Sequence, residues 1–92
     1  MEGEVIYSAH VITQMFKRGI SEQDIEYILN YGYIIREYPE DSPYPSYLIL
    51  GVKEGRPLHV VYAVNENGDK IVITTYQPDQ AIWNDDFTEK TR

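Results

Sequence analysis

The chain has 92 residues, 42% of them hydrophobic and 13% aromatic, enough for one small domain spanning 1–92 around a core at about residues 6–87, and too many for a disordered chain. Fifteen acidic against eight basic residues give a net charge of −7, which disfavours loose binding to nucleic acid; the absence of cysteine excludes disulfides and thiolate zinc sites. No apolar run approaches the ~20 residues that cross a bilayer, and MEGEVIYSAH has neither the basic nor the apolar part of a secretory signal, so no membrane contact and a cytoplasmic location are expected.

The first predicted helix starts at Ser8, a good N-cap, and runs to about Arg18 before Gly19. At 100° per residue, Val11, Ile12, Met15 and Phe16 gather on one side, while His10, Gln14 and Lys17 line the other with Arg18 on its flank. A second helix follows after a very short link, Gly19 and Ile20, which suggests a tight helical hairpin. Its N-cap is Ser21, Asp24 completes an acidic capping box, and Ile20 with Ile25 suits a hydrophobic staple. Ile25, Ile28 and Leu29 form the stripe to be buried, and Gly32 suits a left-handed C-cap.

From Tyr33 the period becomes that of strands. YIIREY (33–38) is the first, closed by the proline-containing loop PEDSPYPS; SYLILGV (46–52) is the second. KEGR turns tightly into PLHVVYAV (57–64), and NENGD is a hairpin signal leading to KIVITTYQ (70–77). The tail beyond Pro78 carries a predicted helical turn around Ala81–Phe87, with Trp83 and Phe87 packing back at i, i+4. The order ααββββ with short connections predicts an α+β domain, a helical hairpin packed on a four-stranded antiparallel sheet.

Two positions invite chemistry. Imidazole is the side chain whose ordinary pKa lies nearest neutrality, and the chain has two, His10 in the first helical turn and His59 inside an apolar strand. His59, Val61 and Ala63 share one strand face; Leu58, Val60, Tyr62 and Val64 share the other. A half-polar cleft is expected on the face that holds His59 and Tyr76. Helix-on-sheet packing is expected to turn both imidazoles into one groove, within about 10 Å of each other, close enough to bracket one phosphodiester. Each histidine also admits a purely structural role in packing.

The strings S-A-H-x3-Q-M-x2-R-G-I-S, P-L-H-V-V and T-Y-x-P-D-x3-W, in that order, resemble the family catalogued as domain of unknown function 4258. Its members look like compact toxins of bacterial toxin–antitoxin pairs, of the RelE and MqsR kind, which cut RNA without metal. The resemblance implies a metal-independent endoribonuclease, with an antitoxin encoded nearby and RNA as partners and with no cofactor or metal. Carried over by position, the family's helix histidine falls on His10, its helix-end arginine on Arg18, its strand histidine on His59 and its tyrosine before proline on Tyr76. Gln14 departs from the arginine that members often carry there.

Those residue types suit the chemistry. Metal-free RNA cleavage needs a base for the 2′-hydroxyl, an acid for the leaving 5′-oxygen and a cation for the phosphate, a role that guanidinium fills bidentately. His10, His59, Arg18 and Tyr76 are the catalytic candidates; Arg18, Arg56 and Lys17 are the phosphate-binding ones. A different class of function also fits, a non-enzymatic interaction module. Nine tyrosines would supply its surface, with a partner or a second copy of the chain at Tyr44, Tyr47 or neighbouring strand positions.

Overall fold

A computed structural model describes residues 3–91. Its elements in chain order are β1 (Val5–Tyr7), α1 (Ala9–Arg18), α2 (Glu22–Tyr31), β2 (Tyr33–Tyr38), β3 (Ser46–Lys53), β4 (Arg56–Val64) and β5 (Lys70–Tyr76). They form one five-stranded sheet in the order β1-β5-β4-β3-β2, in which β1 runs parallel to β5 and every other pair is antiparallel. The expected α+β class stands, but the four-stranded antiparallel sheet does not. The additional strand is VIY, three residues too few to show a period, whose register with Lys70–Val72 is set from the far end of the chain.

The expected helical hairpin is corrected as well. The helices dock on the sheet rather than chiefly on each other, α1 against β5 and α2 against β3 and β4. Each follows from its own stripe. Val11 and Met15 of α1 and Ile25 and Ile28 of α2 are buried with Ile49, Leu58, Val60, Tyr62 and Val72 of the strands, and Ile20 fills the link between the helices. The stripe of α1 is narrower than its sequence suggests: Ile12 is 41% and Phe16 is 89% exposed.

Both predicted N-caps are present. The Ser8 hydroxyl accepts from the Val11 amide, and Ser21 and Asp24 form the reciprocal capping box. At the helix ends the two glycines differ. Gly19 takes the left-handed conformation (φ 66°), whereas Gly32 is extended at φ −80°. Gly32 is needed for space instead of torsion: a Cβ there would lie 2.5 Å from the Leu50 carbonyl oxygen. Gly51 similarly makes room for Ile28, which lets α2 settle directly on β3.

The predicted helical turn at Ala81–Phe87 is replaced by two irregular turns closed by a bridge between Trp83 and Lys90. Asn84 accounts for the difference. Its side-chain oxygen accepts from the Thr88 and Glu89 amides, bonds that compete with a helical ladder, and Phe87 sits at φ +61°. The tail lies across the sheet face opposite the helices. There Trp83 is buried with its ring edge-on to His59, centroids 4.4 Å apart.

Candidate functional site

Three consecutive residues at the end of β5 gather most of the polar side chains singled out from the sequence. β1 covers β5 only as far as Val72, so Thr74, Thr75 and Tyr76 extend beyond it and α1 flanks them. Arg18, in the last turn of α1, donates from Nη1 to the Thr75 carbonyl at 2.8 Å, and Gln14 accepts from the Thr74 hydroxyl at 3.1 Å. Gln14 Oε1 also lies 3.5 Å from Arg18 Nη1, so its amide nitrogen is turned toward His10 Nε2, 3.0 Å away. With Gln14 donating, His10 accepts at Nε2 and carries its proton on Nδ1. The chain His10–Gln14–Arg18 thus uses the i, i+4, i+8 face of α1 to reach the sheet edge.

Strand pairing supplies the other half. His59 of β4 is the register partner of Tyr76 of β5, and the Thr75 hydroxyl donates to the His59 carbonyl at 2.8 Å. The Tyr76 hydroxyl lies 3.3 Å from His59 Nδ1, and His59 Nε2 lies 2.8 Å from the Phe87 carbonyl. A carbonyl only accepts, so Nε2 carries the proton and Nδ1 receives the Tyr76 hydroxyl. Burial holds the His59 imidazole below its ordinary 6.5, with the Phe87 carbonyl pulling the other way. Burial raises the Tyr76 phenol above its ordinary value, and the neighbouring Tyr38 adds to this.

His59 is therefore not where the sequence suggested. It is 0% exposed, with both ring nitrogens bonded to the protein, while His10 lies on the exposed surface of α1. No open groove contains both imidazoles in this conformation. The alternation of β4 puts His59 beside Tyr76 on the face away from the helices, a choice of face that the sequence left open, and the tail closes over the cleft.

The cations divide in the same way. Arg56 donates from Nη1 to the Gly19 carbonyl, from Nη2 to the Arg18 carbonyl and from Nε to Gln77, so it clamps the end of α1 and fixes Arg18. Arg18 Nη2 and Nε make no hydrogen bond among the described residues, and Lys17 is exposed in the same turn. The Lys53–Asp24 pair, 2.8 Å apart, joins β3 to α2 away from this cluster. Among the described residues no three His, Cys, Asp or Glu side chains converge on a point that would hold a metal ion.

Gln14, Thr74 and the Phe87 carbonyl belong to the site, although sequence reasoning gave them no role in it; Trp83, expected to pack back from the tail, covers His59. The spacing of His10, Gln14 and Arg18 was the available signal for Gln14. Nothing local marks Thr74 or the Phe87 carbonyl, because a backbone oxygen has no sequence signature. Beside Phe87 lies an open groove of about 670 Å³, lined by Gly55, Pro57, Gln77, Pro78, Asp79 and Gln80. No helix of the described residues is long and apolar enough to cross a membrane.

Residues 7–77 match the model of a family described as a domain of unknown function (DUF4258), and the chain belongs to that family. The matched stretch contains His10, Arg18, His59 and Tyr76 and ends before the tail. No curated protein and no solved structure matches the chain.

Proposed function

We propose that this DUF4258 chain is a metal-independent endoribonuclease of the toxin kind, acting in the cytoplasm and restrained by an antitoxin encoded nearby. The observation that carries this reading is that α1 and β4 both reach residues 74–76 of β5: Arg18 bonds Thr75, Gln14 links Thr74 to His10, and His59 bonds Tyr76. His10 Nε2 takes the proton of a ribose 2′-hydroxyl that displaces the Gln14 donor. The 2′-oxygen bonds to phosphorus, the bond from phosphorus to the 5′-oxygen breaks, and Tyr76 gives its proton to that leaving oxygen. A 2′,3′-cyclic phosphate and a 5′-hydroxyl result, and proton exchange with water restores His10 and Tyr76. Arg18 holds the phosphate oxygens through Nη2 and Nε, charge-assisted bonds that strengthen as charge builds in the transition state. His59 is a positioning residue in this scheme: its Nδ1 holds the Tyr76 hydroxyl until the leaving oxygen takes the place of Nδ1 as acceptor of that proton.

The test is incubation with a labelled single-stranded RNA in the presence of a chelator. The expected products carry 2′,3′-cyclic phosphate ends. His10→Ala and Tyr76→Phe each lower the rate by roughly 10²–10⁴-fold, the range for a positioned acid or base, with the circular dichroism spectrum unchanged. Cleavage that persists unchanged in both variants contradicts the assignment.

A second reading, a non-enzymatic interaction module, is favoured by the exposed aromatic surface of α1, α2 and β2. Phe16, Tyr31 and Tyr33 are 89%, 74% and 58% exposed. In contrast, Tyr47 packs on Tyr62 and Tyr44 bonds Glu66, so the aromatic surface lies away from the positions expected to bind a partner. Sedimentation alone and with the product of the adjacent gene distinguishes a homo-oligomer, an antitoxin complex and a monomer.

A further inference from the structure

His59 presents a geometric puzzle if the site acts on RNA. Its Nε2–H points away from Tyr76 and ends on a backbone carbonyl of the tail, 2.8 Å distant. Its ring is covered edge-on by Trp83. An N–H donor with an aromatic side chain packed beside it is the combination that would engage a phosphate oxygen and an adjoining base. Here both positions are filled by the protein's own chain.

The covering segment is built differently from the rest of the fold. It follows β5 outside any ladder of the main sheet, and one bridge, Trp83 with Lys90, closes it on itself. Its remaining order is local: the Asp79 carbonyl takes the Ile82 and Trp83 amides, and Asn84 takes those of Thr88 and Glu89. Phe87, whose carbonyl meets His59, stands at φ +61°, a left-handed conformation that disfavours a residue with a Cβ. Lys90 holds its ammonium 5.9 Å from the centre of the Trp83 ring. The open groove of about 670 Å³ borders the strap, with Pro78, Asp79, Gln80 and Phe87 forming one wall against Gly55 and Pro57. The tail also lies wholly beyond the stretch matched by the family, 7–77.

We infer that residues 78–91 act as a built-in pseudosubstrate strap, with the Phe87 carbonyl in the place of an RNA phosphate oxygen at His59 Nε2 and Trp83 in the place of a base packed edge-on against the imidazole. This rests on the endoribonuclease reading of the same site. Lifting the strap converts His59 from a buried positioning residue into a donor that touches the substrate, and single-stranded RNA competes with the tail for that position. The full chain is thereby held in a closed, weakly binding state.

The test uses the full-length chain, labelled with ¹⁵N on its imidazoles, and a single-stranded RNA whose 2′-hydroxyls are methylated so that it binds without being cut. Trp83→Ala opens the strap, and Lys90→Ala, at an exposed side chain, loosens it without removing core volume. Opening is read without RNA, from the exchange rate of the His59 Nε2 proton with water; binding is read by fluorescence anisotropy of the labelled RNA. The expected result is faster exchange in both variants and tighter RNA binding, at least tenfold for Trp83→Ala and about twofold for Lys90→Ala (a factor of ten being about 1.4 kcal/mol). His59→Ala placed on Trp83→Ala should abolish the gain.

Faster exchange with RNA affinity unchanged from wild type overturns the strap, and if unmethylated RNA is still cut under those conditions the endoribonuclease reading survives. Faster exchange with neither binding nor cleavage by any form overturns the endoribonuclease reading and the strap with it. Should Trp83→Ala fail to fold, Lys90→Ala decides alone, and unchanged exchange in that variant overturns the strap.

Discussion

The two faces of the sheet are sealed by different physics. On one, α1 and α2 press hydrocarbon against hydrocarbon: Ile25, Ile28, Leu58 and Val60 are buried, and the contact holds because apolar area leaves water. On the other, the tail closes over the His59 imidazole through one hydrogen bond, to the Phe87 carbonyl, and the edge-on contact of its own Trp83 indole. A hydrogen bond exchanges partners with water at small net cost, about 0.5–1.5 kcal/mol, so this seal rests on the buried Trp83 ring and little else. The helix face holds the main buried cluster; the tail face holds the His59–Tyr76 pair.

The sharpest way to break this contrast is to remove volume from the helix face. Ile28→Ala should cost about 2–5 kcal/mol, since Ile28 is fully buried against Gly51 and little can move in to fill the gap. Urea melts followed by circular dichroism measure it, and a loss below 1 kcal/mol would mean that this face is less closely packed than described. His59→Ala on the other face should cost less, about 1–3 kcal/mol, because it leaves the Tyr76 hydroxyl and the Phe87 carbonyl without their partner.

Acid gives a gentler perturbation of the same site. Burial depresses the His59 pKa in the folded chain, so the unfolded chain binds the proton first. Its contribution to stability is fully present above about pH 6.5 and is lost as pH falls toward the lower folded value. The slope from this one group is at most about 1.4 kcal/mol per pH unit. His59→Ala should flatten the stability profile in that window. Asp24, whose carboxyl is held low first by its bond from Lys53 and then by the Ser21 amide, acts only below its ordinary 3.8, so the two effects separate.

Much of the helix face was legible in the sequence. Ser8 and Ser21 announced the helix starts, and Val11, Met15, Ile25 and Ile28 announced the buried stripes. The alternation in β4 separated His59 from Leu58 and Val60. What escaped was non-local or carried by the backbone. β1 exists because Val5–Tyr7 pair with residues 70–72, and no three-residue string declares its partner. Gly32 reads as a left-handed cap until the Leu50 carbonyl stands where its Cβ would be. At the candidate site the residue types were legible, but the burial of His59 was not: the group that seals it is the Phe87 carbonyl, and the helical spacing of Trp83 and Phe87 pointed to a different tail.

The contrast between the faces is tested most directly by native-state hydrogen exchange of the wild-type chain. Amides of α2 and β4, among them Ile28 and Val60, should exchange only through global unfolding. The amides of Phe87 and Thr88 and the His59 ring proton should exchange through a smaller opening that leaves the sheet intact, orders of magnitude faster. Equal protection of the tail and of the helix-covered core would contradict the account, because the two faces would then open only together.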